Sequence, residues 1–583
     1  MTATFRVRAP RARAVWLCRF DGQAETRTAM ARDGDDWVLD LPGELAGTRY
    51  GYRADGEWAP ERGLWFDPAK LLVDPRAIEL DRRFVYDPAL SVHGADTAAL
   101  VPKAVVPPPL PEVPRAPPRF TPGGLIYELN VRGFTRLHPD VPEARRGTVA
   151  ALAEPAVIAH LQSLHVSAVE LMPVVAWIDE RHLPPLGLSN FWGYNPVAPM
   201  ALDPGLCPGG IVELRETVAA LHAAGIGVIL DIVLNHTGES DMFGPVLCLR
   251  GLDDAAYARD GQRRLINDTG CGNTLDFAQP AVRALALDSL RHFVRHAGVD
   301  GFRFDLATVL ARGPAFSPAA PIFAEIAADP RLADRVLIAE PWDIGPGGYQ
   351  LGRFPPHWLE WNDRFRDDVR RFWRGDGDVA TLATRLAGSA DVFGEQACRS
   401  VNFLAAHDGF TLADTVAYEH RHNWANGEHN RDGHGDNLSW NNGIEGPSDD
   451  PAVAARRRAD LKALLGTLFA STGTILLTAG DEFGRSQQGN NNAYCQDSPI
   501  GWIDWARRDS DLEDHVRRLA ARRAARPPAQ FPRAGEWRTL TGEPMAEALW
   551  DTPNAPGVAY VSNDAARPLA FAVDRAARRV SID

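Results

Sequence analysis

The 583-residue chain has little cysteine and almost no lysine. Its six cysteines, Cys18, Cys207, Cys248, Cys271, Cys398 and Cys495, form neither a Cys-x-x-Cys pair nor a tight Cys/His cluster. That argues against a disulfide scaffold or a structural zinc site, and makes reduced thiols in a cytoplasm the expectation. Only Lys70, Lys103 and Lys462 are lysine, so the basic set is nearly all arginine, which reads as codon bias rather than function. Positive charge is itself in deficit: 62 Lys+Arg against 76 Asp+Glu leaves a net charge of −14. Nucleic acid and an anionic membrane surface are thereby disfavoured as partners, while a neutral ligand stays open. No stretch approaches the roughly 18 apolar residues of a membrane span. The first twenty residues carry Arg6, Arg8, Arg11, Arg13 and Arg19 without an acid, a transit-peptide trait. Yet Phe5, Val7, Val15 and Leu17 alternate as in a strand and no apolar h-region follows, so targeting is the lesser reading.

What is present is ordinary for a folded protein: 45% hydrophobic, 24% charged and 9% aromatic residues,. At roughly 150 residues per domain the length suggests about four domains, fewer if one is a large barrel. Residues 1–101 hold short strand-like runs and the turn signals Asp21-Gly22, Asp33-Gly34 and Asp55-Gly56, the pattern of a β-sandwich,. Nine prolines between Pro102 and Pro122 make residues 102–122 an extended linker,.

Strands and helices then alternate over residues 123–510. Strand candidates are Leu125–Val131, Ala168–Val175, Ile226–Leu234, Val299–Asp305, Arg335–Ala339, Val401–Ala406 and Thr474–Thr478, with an eighth expected between 345 and 395. Helix faces are marked by Leu214, Val218 and Leu221, by Val282, Ala286, Leu290 and Phe293, and by Leu461, Leu464 and Leu468. Continuous apolar strands between helices indicate a parallel sheet. The α/β fold class is best met by a closed (β/α)8 TIM barrel, with a doubly wound open sheet as the alternative. Residues 511–583 read as a short helix and a small C-terminal β domain containing Trp537, Leu549 and Val558–Val561.

Four strand ends deliver charge to one rim. Asp231 precedes Asn235-His236, Arg303 precedes Asp305, Glu340 ends one strand, and His407-Asp408 ends another. Barrel active sites are built at such ends. Arg303 and Asp305 are two residues apart and share a strand face, with Phe302 and Phe304 on the other. A guanidinium behind a carboxylate favours its charged form by roughly 1–3 pKa units, and an oriented Asp can act as a nucleophile. Any one of these residues alone also fits a structural ion pair or a cap. Asp305, Glu340 and Asp408 converging from three strands do not, because buried unpaired carboxylates are costly unless function retains them. Two carboxylates across a cleft fit glycoside hydrolysis.

The blocks Asp231-Ile-Val-Leu-Asn-His236, Gly301-Phe-Arg-Phe-Asp305, Glu340 and His407-Asp408 resemble, in order, the four conserved blocks of the α-amylase family, glycoside hydrolase family 13. Phe191-Trp-Gly-Tyr-Asn-Pro196, Gly272-Asn-Thr-Leu275 and the run Gly480–Cys495 resemble its isoamylase-type, debranching branch, and the resemblance extends from about Arg49 to Trp505. It implies Asp305 as nucleophile, Glu340 as general acid/base and Asp408 as transition-state stabiliser. It further implies that Arg303 orients Asp305, that His236 and His407 bond the sugar, that Asp231 is structural and that Tyr194 stacks under the same sugar. Retention of configuration follows, with carboxyls about 5–5.5 Å apart, and no metal or cofactor is needed. The implied substrate is a branched α-glucan, glycogen or its limit dextrin, cut at α-1,6 linkages.

Also by resemblance, the N-terminal domain is a carbohydrate-binding-like module, signalled by Arg49-Tyr-Gly-Tyr-Arg53, Pro60-Glu-Arg-Gly-Leu-Trp65 and Leu71–Pro75. Trp58 or Trp65 offers a face to a pyranose, although packing at a domain seam is the favoured reading. Residues 419–442 contain four His, six Asn and two Trp. They read as a long loop over the barrel mouth in which Trp424 or Trp440 meets glucan, in preference to a metal site at His420, His422, His429 and His434. The Gln487–Asn492 run is expected to line the cleft. The amino end, Asp203–Ile211 and the 78 residues after Trp505 are shorter than the family pattern, which bears on branch-length preference. Glucan branching transferases and the hydrolase that releases trehalose from maltooligosyl-trehalose share the fold and triad. A catalytically silent glucan-binding protein is the reading from another class.

Overall fold

The computed structural model describes residues 2–394, 399–525, 535–550, 552, 555–563 and 569–582. Cys398 lies outside the described residues.

The amino-terminal alternation produces strands Thr2–Arg8 and Ala14–Asp21, which bury Phe5, Val7, Val15 and Leu17. The first joins Asp36–Pro42 and Ala31–Asp33 in a three-stranded sheet; the second lies between Ala24–Ala29 and Arg49–Asp55 in a four-stranded one. The two share a core in which the Phe5 and Tyr50 rings meet edge-on at 5.1 Å. The fourth strand of the second sheet, Ala104–Val105, falls inside the segment read as a linker. Proline confines pairing there to the sheet edge, and further on Val113 N–H donates to Arg295 O, so the segment is extended but pinned at both ends.

Eight strands close into a parallel barrel: β1 (Leu125–Leu129), β2 (Ala168–Leu171), β3 (Gly227–Ile232), β4 (Gly301–Phe304), β5 (Val336–Ala339), β6 (Leu359–Asn362), β7 (Ser400–Asn402) and β8 (Thr474–Thr478). β6 is the strand that hydropathy left undefined. The Ala168–Val175 run is not one strand: Pro173 follows β2, and Val175–Trp177 instead forms an antiparallel ribbon with Pro196–Leu202 outside the barrel. Helices Gly210–Ala223, Pro280–His296 and Pro451–Ala470 bury the apolar faces expected of them.

Two-residue periodicity divides each strand between two cores. Phe302 and Phe304 pack outward with the helices, worth about 1.5–3 kcal/mol each in buried apolar surface,. Ile126, Ala168, Ile229, Ile338, Leu359, Val401 and Leu476 face inward. On the register above that apolar set lie Glu128, Glu170, Asp231 and Arg303. A one-residue slip would exchange Arg303 for a phenylalanine, so the burial of both aromatic rings fixes the register that presents the charges.

The N-terminal core continues into the barrel through Val246, Leu247, Cys248 and Leu252. Trp65 is buried at this seam beneath the Arg250 guanidinium, 4.9 Å from its ring centroid, and Trp58 stacks on His93 at 4.1 Å. Both tryptophans pack within the protein. At the carboxyl end, helix Ser510–Ala524 precedes an antiparallel sheet of Gly535–Arg538, Gly557–Ser562, Ala570–Asp574 and Arg579–Ile582. Leu549 belongs to the helical turn Glu547–Trp550, not to a strand. No helix among the described residues is long and apolar enough to cross a membrane.

Candidate active site

The charged residues at the ends of β3, β4 and β5 meet around one guanidinium, with those after β7 beside them. Arg303 is fully buried. Its Nη1 donates to both oxygens of Asp231 at 2.9 Å and to Asp305 Oδ1 at 3.1 Å, while Nη2 lies 3.1 Å from Glu340 Oε2. The planar group rests 4.3 Å from the Trp361 ring centroid, a cation–π contact in a site shielded from water,. Gly301 allows β4 to lie so close to β5: a Cβ there would sit 2.2 Å from Val336 O.

The local backbone is shaped to hold Glu340. Leu306 adopts a left-handed conformation, φ 40° and ψ 51°, unfavourable for a residue with a Cβ,. That turn aims Leu306 N–H at Glu340 Oε2, 2.7 Å away. Burial dominates the carboxyl's protonation and, with Asp305 and Asp408 nearby, pushes it up to about 8 against the pull of Arg303. Asp305 accepts a second bond, from Asn235 Nδ2 to Oδ2 at 2.7 Å. Asp231 is pushed up to about 6 by burial against Arg303, and accepts the Tyr194 hydroxyl.

Asp408 behaves oppositely. Burial works against its charge, but the His434 Nε2 contact at 3.4 Å and the neighbouring His407 hold it well below the usual carboxylate range. His407 is held up at about 9: burial opposes its cation, and Glu128 Oε1, 2.7 Å from Nδ1, outweighs that. The His407 ring stacks on Tyr194 with centroids 4.8 Å apart. His236 is buried and its pKa lowered by desolvation; Nδ1 engages Asn235 Oδ1, and Nε2 lies 3.0 Å from Tyr194 O. Both of its ring nitrogens are therefore occupied within the protein, so a bond from His236 to a sugar requires one of these contacts to yield. A protonated carboxyl beside a hydrogen-bonded carboxylate, with a second carboxylate kept charged, is a donor–nucleophile arrangement.

The eight site residues named from sequence, Asp231, Tyr194, His236, Arg303, Asp305, Glu340, His407 and Asp408, share this one cluster. Sequence reasoning missed Asn235, Glu128, Trp361 and His434 in these contacts. Asn235 and Glu128 had a usable signal, since each is a polar residue at or near the end of an apolar strand; Trp361 and His434 are placed only by tertiary closure.

Residues 419–442 reach the site through His434. The Asn491 side chain donates to His434 O at 2.9 Å and to Asn437 Oδ1 at 2.7 Å, and Asn423 donates to Asn491 Oδ1 at 2.8 Å. Asn490 and Asn491 are buried and brace the loop, while Gln487 lines a small cavity beside Glu128 and His407. Trp440 donates to Asp460 and packs on the core, whereas Trp424 is 66% exposed. Among the described residues no group of three or more His, Cys, Asp or Glu is disposed to hold a metal ion.

Comparison with known proteins adds sequence and fold relatives. Residues 1–77 match carbohydrate-binding module 48, the isoamylase N-terminal domain. The glycogen debranching enzyme of Yersinia enterocolitica is 47% identical over 566 residues, covering 92% of this chain and 85% of its own length. That of Cronobacter sakazakii is 47% identical over 564 residues with the same coverage. The type I pullulanase of Bacillus subtilis, solved with maltose, has a TM-score of 0.73 at 21% identity, covering 98% of this chain and 77% of that one. The pullulanase of Paenibacillus barengoltzii, solved with maltohexaose and α-cyclodextrin, has a TM-score of 0.72 at 22% identity, covering 98% and 87%. At those identities the pullulanases testify to the fold. With near-full-length relatives at 47% identity and an isoamylase-type module before the barrel, this chain belongs to the glycogen debranching enzymes of the α-amylase family, glycoside hydrolase family 13.

Proposed function

We propose that the chain hydrolyses α-1,6 branch linkages of glycogen, or of its limit dextrin, with retention of configuration. The observation that carries the chemistry is the shared Arg303 guanidinium, which touches both Asp305 and Glu340 while Glu340 keeps its proton to about pH 8. Asp305, oriented by Arg303 and Asn235, attacks the anomeric carbon as Glu340 delivers its proton to the departing O6. Glu340 then takes a proton from water, which releases the sugar from Asp305. Such a double displacement calls for carboxyls about 5–5.5 Å apart. Asp408, charged throughout, grips sugar hydroxyls, and His407 and Tyr194 form the wall beside it. Neither step requires a metal or an organic cofactor.

The α-1,6 specificity rests on the near-full-length relatives named glycogen debranching enzyme. A neutral glucan also suits a chain of net charge −14, for which nucleic acid and membranes are poor partners,. The five described cysteines are free thiols, in keeping with a cytoplasmic setting,. The test is a reducing-sugar and iodine assay on glycogen, limit dextrin, pullulan and maltooligosyl-trehalose. Short linear chains released from limit dextrin are the expected product. Trehalose release, or branching of amylose, would overturn the assignment.

A further inference from the structure

We infer that Glu128, on β1, is a positioning residue for this reaction: it holds His407 as an imidazolium whose Nε2–H is left free to serve the sugar. The inference rests on the hydrolase reading above and deepens it.

Glu128 is 1% exposed and its two oxygens are divided between two partners. Oε1 lies 2.7 Å from His407 Nδ1, and Oε2 lies 2.9 Å from Thr478 Oγ1, the residue beside it in register on β8. His407 has little freedom to turn away. Its ring stacks on Tyr194 at an interplanar angle of 24°, meets Trp192 edge-on with centroids 5.0 Å apart, and lies 6.0 Å from Trp361. With Nδ1 committed to Glu128, Nε2 makes no hydrogen bond to any described residue.

The second register neighbour of Glu128 explains how the charge is kept there. Glu170, on β2, is fully buried, and neither of its oxygens has a hydrogen-bond partner. Burial and the charges of Glu128 and Asp231 push its carboxyl well above the usual range. Of two carboxyls side by side, Glu170 is thus the one kept neutral, and Glu128 is the one that faces the imidazole,. The other groups facing His407 are Asp408, itself bound to His434, and Asp231, Arg303 and Tyr194. Arg485 lines a cavity of about 20 Å³ behind Glu128 and His407, with Gln487 and Thr478.

The consequence is an ordering of two protons. His407 keeps its charge to about 9, beyond the pH at which Glu340 loses its proton, so the alkaline edge of activity belongs to Glu340. Glu128→Gln removes the anion, and His407 then titrates at or below its ordinary value of about 6.5. The order is reversed. At pH 8 only about 3% of His407 would remain charged, so the ratio of variant to wild-type kcat/KM falls about 30-fold between pH 5.5 and 8.

The experiment measures kcat/KM on limit dextrin from pH 5 to 9 for the wild type, Glu128→Gln and Glu170→Gln, with the His407 Cε1–H titration followed by NMR on 13C-histidine-labelled protein. Glu170→Gln exchanges one neutral group for another, and its pH profile should keep the wild-type shape. A uniform loss in Glu128→Gln, parallel to wild type at all pH values, would reduce Glu128 to a packing role and overturn the inference. Should Glu128→Gln fail to fold, the wild-type titration decides: a His407 midpoint near 9 supports the inference, and one at or below 6.5 refutes it. Should the wild type release no linear chains from limit dextrin, the hydrolase reading falls while the titration still judges the contact.

Discussion

Arg303→Met tests the idea that one buried cation organises the rim. Methionine keeps much of the stem but removes the guanidinium, which rests on Trp361 and lies 2.9 Å from both Asp231 oxygens and 3.1 Å from Asp305 and Glu340. Removing one partner of a buried ion pair costs about 3–5 kcal/mol, because the remaining charges keep their desolvation without compensation. At roughly 2 °C per kcal/mol in a large domain, that is a fall in Tm of about 6–10 °C. The sign of its pH dependence follows from linkage. Asp231 and Glu340 already sit at about 6 and about 8, and without Arg303 both move higher. Carboxyls whose folded values are raised bind protons more tightly folded than unfolded. Their penalty is absent below the unfolded value of about 4, grows as pH rises, and is complete above the folded values. The Tm gap between wild type and variant should therefore be small at pH 5 and largest above pH 8, as read by scanning calorimetry at the two pH values. A gap that stays constant or narrows with rising pH would refute the reasoning, as would a variant as stable as wild type at pH 8.

Three further outcomes are expected. Asp305→Asn should lose nearly all turnover with Tm and glucan binding close to unchanged; residual activity above about one per cent would remove Asp305 from the nucleophile role. Because Glu340 must carry a proton and is pushed up to about 8, wild-type kcat/KM should hold to neutral pH and fall as pH rises through about 8,. A decline centred between 4 and 5 would show a different acid. Asn235→Ala removes the 2.7 Å bond to Asp305 Oδ2. A hydrogen bond to a charged group is worth about 1.5–3 kcal/mol, so kcat should drop roughly 10- to 100-fold, and an unchanged kcat would make the contact incidental.

The closed barrel was legible because its strands carry two signals at once. Phe302 and Phe304 flank Arg303, so hydrophobic pattern and charge position declare the same register. β6 was hidden for the converse reason: Leu359–Asn362 places Glu360 outward against Arg399, and a charged residue on the helix side breaks the apolar run. Asn490 and Asn491 misled because a run of amides suggests a wet surface, whereas here they pair with other amides and with backbone. Their burial is settled by where residues 419–442 come to rest, which no local pattern states. Trp440 and Trp424 are alike in sequence for the same reason, and only Asp460 beneath Trp440 separates them.

The division of labour among the carboxyls is set by neighbours and not by residue type. Burial alone would keep them all neutral. Arg303, a cation at every accessible pH, touches both Asp305 and Glu340, yet Glu340 keeps its proton because burial, with the like charge of Asp305 and Asp408 added, outweighs that cation. Asp408 can supply that charge only while His434 and His407 hold it ionised. His434 arrives on the 419–442 loop, which Asn491 ties down through the His434 carbonyl. The amide-rich segment after β8 therefore reaches the rim through a chain of contacts, Asn491 to His434 to Asp408, whose charge in turn acts on Glu340. Loosening the loop would withdraw the His434 contact and let Asp408 move back up toward the ordinary carboxylate range without touching a catalytic side chain.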